Sequence, residues 1–319
     1  MCMKKLHVVL GGSGAVGASI IKELQARGLS VRSVERSKTV EGVENIHADA
    51  LNLADLQTAV KDASHIYVCI GLPYQSKIWM RDWPKIIANV VSAAEKENAK
   101  VIFFDNVYMY GPHPLPVPFD EDTPQKPTTK KGLARKQSAD VFMRAIADGK
   151  IKGFIARSAD FYGPRAVNST LYVQFLENIA KGKNPQFLGK KGVKHTSTYL
   201  LDAANAIVRL AQDDSAYGHV WHMPVSRPVT IDEIMAIIND VMGTGYKVQY
   251  VPLLARKLLS LFIPIVKEVE EMLYQFNEPY VMSWEKLHAK YPDIQATPIE
   301  DGLRAMIRSM DTVGSKRDA

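Results

Sequence analysis

Apolar residues in the first half of this chain fall into short unbroken blocks. Examples are His7-Val8-Val9-Leu10, Ile66-Tyr67-Val68-Cys69-Ile70 and Val101-Ile102-Phe103-Phe104. Between them lie longer segments in which apolar positions recur every three to four residues. Short continuous blocks read as strands buried on both faces, and the periodic segments as amphipathic helices. The pattern predicts strands over 6–10, 31–35, 45–47, 65–70, 100–104 and 152–156. Helices are predicted over 14–27, 53–62, 83–98 and 132–148. Regular alternation of this kind gives an α/β class with a doubly wound parallel sheet. Ligands of such sheets bind outside the carboxyl ends of the strands, so the informative residues follow each strand.

Residues 111–127 are rich in proline and read as a long surface loop. Beyond 156 the alternation loosens. Met235, Ile238 and Val241 mark one helical face, and 253–276 is a helical stretch interrupted by Pro264. The division expected is a large domain over 1–160 and a smaller C-terminal substrate lobe over 161–319, with some chain returning to the first. Residues 253–266 are unusually apolar, carrying Leu253, Leu254, Leu258, Leu259, Leu261, Phe262, Ile263 and Ile265. Core packing or a greasy substrate wall is the expectation there. A membrane-surface helix flanked by Arg256 and Lys257 is the alternative.

The first strand runs straight into Gly11-Gly12-Ser13-Gly14-Ala15-Val16-Gly17, a G-x-x-G-x-x-G spacing followed by helix-forming sequence. Glycine permits the tight turn and a close backbone approach, and a helix start presents free N–H groups to an anion. Strand, turn and helix in this order predict a phosphate-bearing dinucleotide and make the sheet Rossmann-type. After the second strand, Glu35 stands where a carboxylate grips an adenosine 2′-hydroxyl. Arg36, Ser37 and Lys38 beside it form a phosphate-friendly cluster, so NADP(H) is the favoured cofactor and NAD(H) the alternative.

Composition adds limits. At 319 residues, 46% hydrophobic and 23% charged, the chain is an ordinary globular protein. Two cysteines, Cys2 and Cys69, are too few for a disulfide framework, and Cys69 reads as a buried thiol. No secretory pattern and no spanning apolar stretch are legible, which points to a cytoplasmic protein without membrane insertion. The net charge of +6 does not indicate nucleic-acid binding. The basic clusters Lys126/Lys130/Lys131/Arg135/Lys136 and Lys181/Lys183/Lys190/Lys191/Lys194 read as solvated surface, or as a rim that attracts anions. The histidines show no metal-ligand spacing, so no metal is expected.

Several further motifs resemble the extended short-chain dehydrogenase/reductases of the NAD-dependent epimerase/dehydratase group. Asp49-Ala50 is similar to that family's adenine-contacting pair, Gly71 to its small-residue turn and Asn89 to its helix asparagine. Val107-Tyr108-Met109-Tyr110-Gly111 resembles its strand-end segment. Arg157-Ser158-Ala159-Asp160-Phe161-Tyr162-Gly163-Pro164 resembles its substrate segment, and Tyr199–Ala204 a later one. The resemblance implies that Arg157 joins the cofactor residues and that Asp160 and Tyr162 face a substrate; His195, ahead of a polar Thr/Ser/Thr run, reads as a contact to substrate phosphate or as a surface residue. That substrate is a small carbonyl or hydroxyl compound, sugar-like or anionic. It also implies a homodimer paired through the helices over 83–98 and 132–148.

The family's Tyr-x-x-x-Lys pair is missing. Lys131 stands in the tyrosine position and Arg135 in the lysine position, while Asn106 replaces the serine or threonine. A relocated acid/base set drawn from Tyr74, Tyr108, Tyr110, Asn106, Lys131 and Arg135 is the expectation. A catalytically silent NADP(H)-binding regulator or scaffold is the alternative.

Overall fold

The structure, a computed structural model, describes residues 5–314, and the side chains of these except 259–261 and 311–314. Cys2, Leu259 and Leu261 therefore lie outside what is described. The chain forms two compact units. The first collects the chain up to Tyr110 together with Gln125–Arg157 and Ala203–Met223; the second takes Gly111–Pro124, Ser158–Asp202 and the chain from Pro224 on.

The first unit is built on strands β1 (Leu6–Leu10), β2 (Ser30–Glu35), β3 (Glu44–His47), β4 (Ala63–Val68), β5 (Lys100–Asp105) and β6 (Lys152–Arg157). A late strand, Val220–His222, completes a seven-stranded sheet in the order Val220–His222, β6, β5, β4, β1, β2, β3. Every neighbouring pair is parallel. The order reverses between β1 and β4, where an α/β sheet opens its binding crevice. Helices α1 (Ala15–Ala26), α2 (Leu53–Ala59), α3 (Ser76–Glu97) and α4 (Lys130–Ala147) make the crossovers.

One core layer places Val8, Leu10, Ile66, Val68, Val101, Phe103 and Ile155 of the sheet against Trp83, Ile87, Val90, Ala134 and Phe142 of α3 and α4. Each large side chain buried this way contributes about 1.5–3 kcal/mol. α3 begins two turns earlier than the apolar periodicity indicated and carries Pro84 in its interior. Trp79 and Trp83 are both buried on it, and their rings meet edge to face at 6.3 Å. That packing offsets the backbone hydrogen bond which an interior proline forfeits.

In the second unit the strands are two or three residues long: Asp160–Tyr162 pairs with Ser197–Tyr199, and Gln186–Phe187 with Gln249–Tyr250. The helix Ile231–Met242 is fixed at its start by a reciprocal Thr230/Glu233 capping box and ended by Gly243 in the left-handed conformation. The apolar stretch after Pro252 forms the helices Leu253–Phe262, Pro264–Glu270 and Tyr274–Asn277. Contrary to the packing expectation, Leu253, Leu254, Leu258, Phe262, Ile263 and Ile265 are exposed. Among the described residues no helix is long and apolar enough to cross a membrane.

Candidate active site

The glycine turn after β1 is held from below. Gly11 takes φ +87° and donates its N–H to Val34 O at 3.0 Å, and Gly14 N–H closes the turn on Gly11 O. A side chain on Gly17 would strike the Gly11 carbonyl, and one on Gly12 would strike Ser33 Oγ and Ile21. Those two glycines let α1 pack tightly on the sheet. Gly14 differs: a Cβ there would meet only Gly11 O, at an ordinary 3.4 Å. Gly14 is also the residue before α1, and no side chain caps that helix. The helix thus opens with backbone donors unmet by side chains and open space before them, the chemistry a pyrophosphate requires. Ala15 and Val16 form its first turn.

Glu35, at the end of β2, accepts the Ser13 N–H at 2.5 Å, which binds the tip of the turn to the strand end. Arg36 is exposed. After β3, Asp49 accepts the Leu51 N–H, and Asn89 of α3 donates to Ala50 O at 2.9 Å, pinning that loop. Gly71 is exposed after β4. Burial pushes the Cys69 thiol up, with the Glu35 carboxylate adding to the shift.

The second group gathers around the start of α4. Thr129 caps the helix by accepting the Gly132 N–H, and a side chain on Gly132 would strike the Tyr108 carbonyl, so this turn lies directly against the segment after β5. Lys131 is fully buried there. Its Nζ donates to Ser76 Oγ at 3.1 Å and stands 4.5 Å from the Tyr74 ring centroid. Trp79 joins Tyr74 edge to face at 5.6 Å and stacks on Tyr108 at 6.1 Å. Asn106 accepts the Tyr108 N–H, which shapes the turn. The structure thus brings Tyr74, Tyr108 and Lys131 into one cluster beside Asn106. Ser76 and Trp79 belong to it as well. Sequence reasoning missed them because the helix was started at Trp83.

Arg135 and Arg157 are placed otherwise, in a buried ion network. Arg135 Nε donates to Asp105 Oδ1 at 2.6 Å, with its guanidinium 4.0 Å from the Trp83 ring centroid. Arg157 contacts Asp105 Oδ2 at 3.4 Å and donates to Tyr110 Oη at 2.9 Å and Gln125 Oε1 at 3.2 Å. Tyr110 Oη lies 2.6 Å from His222 Nε2. Desolvation opposes the charge on Arg157, but Tyr110 and Asp105 outweigh it and hold the guanidinium above its ordinary range. Lys131 and Arg135 are thus interior residues, and the basic cluster read as surface or rim keeps only Lys126, Lys130 and Lys136 for that role.

In the second unit His195 is buried between the rings of Phe276 and Tyr280, with centroids at 4.7 and 5.6 Å. Its Nε2 lies 3.4 Å from Asp160 Oδ2. Tyr162 is buried against Tyr199 and Gly302, and desolvation, with the nearby Asp202 carboxylate, raises its phenol. Among the described residues no cluster of His, Cys, Asp and Glu suits a metal ion.

The UDP-N-acetyl-alpha-D-glucosaminuronate decarboxylase of Bacillus cytotoxicus is 23% identical to this chain over 277 residues, covering 78% of it and 84% of the relative. The UDP-glucuronic acid 4-epimerase of Bacillus cereus, solved in complex with NAD, superposes with a TM-score of 0.77 at 14% identity, covering 96% of this chain and 99% of that one. The UDP-glucose 4-epimerase of Thermus thermophilus, also complexed with NAD, gives 0.76 at 18% identity and covers 95% and 98%. These likenesses establish the fold. They also overturn the preference for NADP(H), since these relatives were captured with NAD. The local reason is Glu35: its carboxylate is tied to the glycine turn at the strand end, where it repels a 2′-phosphate, while Arg36 points to solvent. The sequence model of the NAD dependent epimerase/dehydratase family matches residues 7–223, and the chain belongs to that family.

Proposed function

We propose that the chain is an NAD(H)-dependent enzyme acting on a small sugar-nucleotide-like substrate, with Lys131 as its acid/base group. The observation that carries this reading is Lys131 itself, a fully buried cation at the opening turn of α4. It occupies the position where the family resemblance places a tyrosine. Ser76 and the Tyr74 ring hold its Nζ at the carboxyl end of the sheet.

The uncapped start of α1 and the open face of Gly14 fit a pyrophosphate, Glu35 fits the ribose hydroxyls of adenosine, and the Asp49–Ala50 loop fits adenine. A bound nicotinamide would supply hydride acceptance and donation. The chain's own groups handle the proton. The Lys131 ammonium presents N–H donors to a substrate oxygen, gives up a proton as a carbonyl becomes an alcohol, and takes one back in the reverse direction. Asn106 can donate to the same oxygen without ionising. Tyr74 and Tyr108 form the wall. Arg135 and Arg157, committed to Asp105, act as support. Two copies pairing through α3 and α4 belong to the same reading.

The test compares Lys131→Met with Lys131→Arg on a panel of UDP-hexoses and UDP-hexuronates. Turnover in the Met variant is expected to fall by about 10²–10⁴-fold, with NADH affinity held within about twofold, and the Arg variant, which keeps the charge but cannot give up a proton, should fall comparably. Unchanged turnover in Lys131→Met sinks the assignment. Tight NADH binding by the parent with no turnover of any panel member favours the silent regulator instead.

A further inference from the structure

Lys131 is fully buried, so solvent does not touch its ammonium directly. An acid/base group in that position needs solvent all the same. Each oxidation of an alcohol to a carbonyl sheds one proton, and an ammonium has no lone pair with which to take it. Lys131 must first have given up a proton of its own. Net oxidation therefore requires a path from Nζ to water.

The groups around Nζ differ in whether they can carry a proton. The Tyr74 ring presents its π-face at 4.5 Å, which attracts the cation but accepts no proton. Arg135, one turn further along α4, has donors only and is bound to Asp105. On the Tyr108 side the turn is packed shut: Gly132 lies against the Tyr108 carbonyl, and Trp79 stacks on the Tyr108 ring. Ser76 is different. Its Oγ accepts from Nζ at 3.1 Å, and a hydroxyl can accept on one side while donating on the other. Ser76 is the first residue of α3, 8% exposed, between the exposed residues Gln75 and Lys77. It stands at the boundary between the buried ammonium and a solvent-facing stretch of chain.

We infer that Ser76 relays protons between Lys131 and water, an inference that rests on the reading of Lys131 as the acid/base group. An Nζ–H bond breaks as a new O–H bond forms on Ser76 Oγ. The original Ser76 hydroxyl proton passes to a water molecule, which becomes hydronium. Ser76 ends as it began, and Lys131 is left a neutral amine whose lone pair takes the substrate's hydroxyl proton. Reduction of a carbonyl runs the same transfers backwards and recharges Lys131 from water.

The first readout needs neither cofactor nor substrate. Exchange of the Lys131 ammonium hydrogens with water is followed on the whole chain by NMR of isotope-labelled lysine, with Lys131→Met assigning the signal. Ser76→Ala is expected to slow that exchange at least about tenfold, and Ser76→Thr, which keeps a hydroxyl, to restore it. The second readout is turnover of the UDP-hexose or UDP-hexuronate that the parent handles fastest. In Ser76→Ala its kcat should fall about tenfold or more with KM held within about twofold, and Ser76→Thr should recover it. Exchange that stays equal or speeds up in Ser76→Ala overturns the relay, because a serine that only pins the ammonium shields its hydrogens. A loss of turnover that Ser76→Thr does not recover overturns it too. Failure of the acid/base reading itself is a separate result: turnover untouched by Lys131→Met, whatever Ser76→Ala does to the exchange.

Discussion

Gly14 and Gly17 sit three residues apart in the same turn and do different work. A methyl at Gly17 collides with the Gly11 carbonyl, so the cost falls on folding. A methyl at Gly14 meets nothing closer than 3.4 Å, so the cost falls on whatever must approach the helix start. Gly17→Ala is therefore expected to destabilise the protein by about 1–3 kcal/mol, read from the denaturant midpoint. Gly14→Ala should leave that midpoint nearly unchanged and weaken NADH binding at least about tenfold by fluorescence titration, because the added methyl occupies the anion's place. The glycine spacing was fully legible in the sequence, but which glycine serves the fold and which the ligand was not. That distinction rests on Ser33, Ile21 and the Gly11 carbonyl, which only the folded turn brings near.

At the scale of elements, β5, α4 and β6 are tied together at their ligand-facing ends by one carboxylate. Asp105 ends β5, Arg135 lies on α4 and Arg157 ends β6, so this network fixes three elements through groups removed from water. Removing the acid leaves two buried guanidiniums without their counterion. Asp105→Ala is expected to cost about 3–5 kcal/mol by thermal or chemical denaturation. The exposed α4 pair is the control: Asp140→Ala, which removes the partner of Lys136, should cost less than about 1 kcal/mol. Pairs separated by 30 and 52 residues leave no periodic trace in a sequence, which is why Arg135 read there as a site residue rather than an anchor. Strands β1, β4, β5 and β6 were legible because burial gave each a continuous apolar run. The early start of α3 was not, since the stretch before Trp83 has meaning only once Trp79 is packed.

Across the whole molecule, legibility falls with element length. The first six strands of the sheet could be read from the pattern, whereas the late strand Val220–His222 and the second unit's strands of two or three residues are placed by tertiary contacts that no local pattern announces. The opposite end of the sheet from the candidate site carries a pH response. His7 and His65 stack with centroids 4.5 Å apart, and both are buried. Desolvation, with Lys5 adding to it, lowers His7 to about 4. Desolvation, then His7 and Lys100, lowers His65 to about 3 against a weaker opposing bond with Ala211. Both are neutral in the folded state and take up a proton near 6.5 once unfolded. Their contribution is complete above pH 6.5 and is lost as pH falls toward 4 and then 3. Between about pH 7 and pH 5 each should cost roughly 1–2 kcal/mol of stability. Denaturation midpoints across that range check this, and His65→Phe should flatten the slope.

The strand Val220–His222 closes the open side of β6, yet it arrives 63 residues after that strand's last residue, Arg157. A ribosome delivers β1 to β6 in one run and then the 158–202 stretch of another unit before the piece that finishes the sheet. Until then β6 presents an uncovered edge to any extended neighbour in a crowded cell. The nascent chain is thus most exposed to mispairing when about half of it has been made, and a stop codon placed after residue 202 would make that passing hazard permanent.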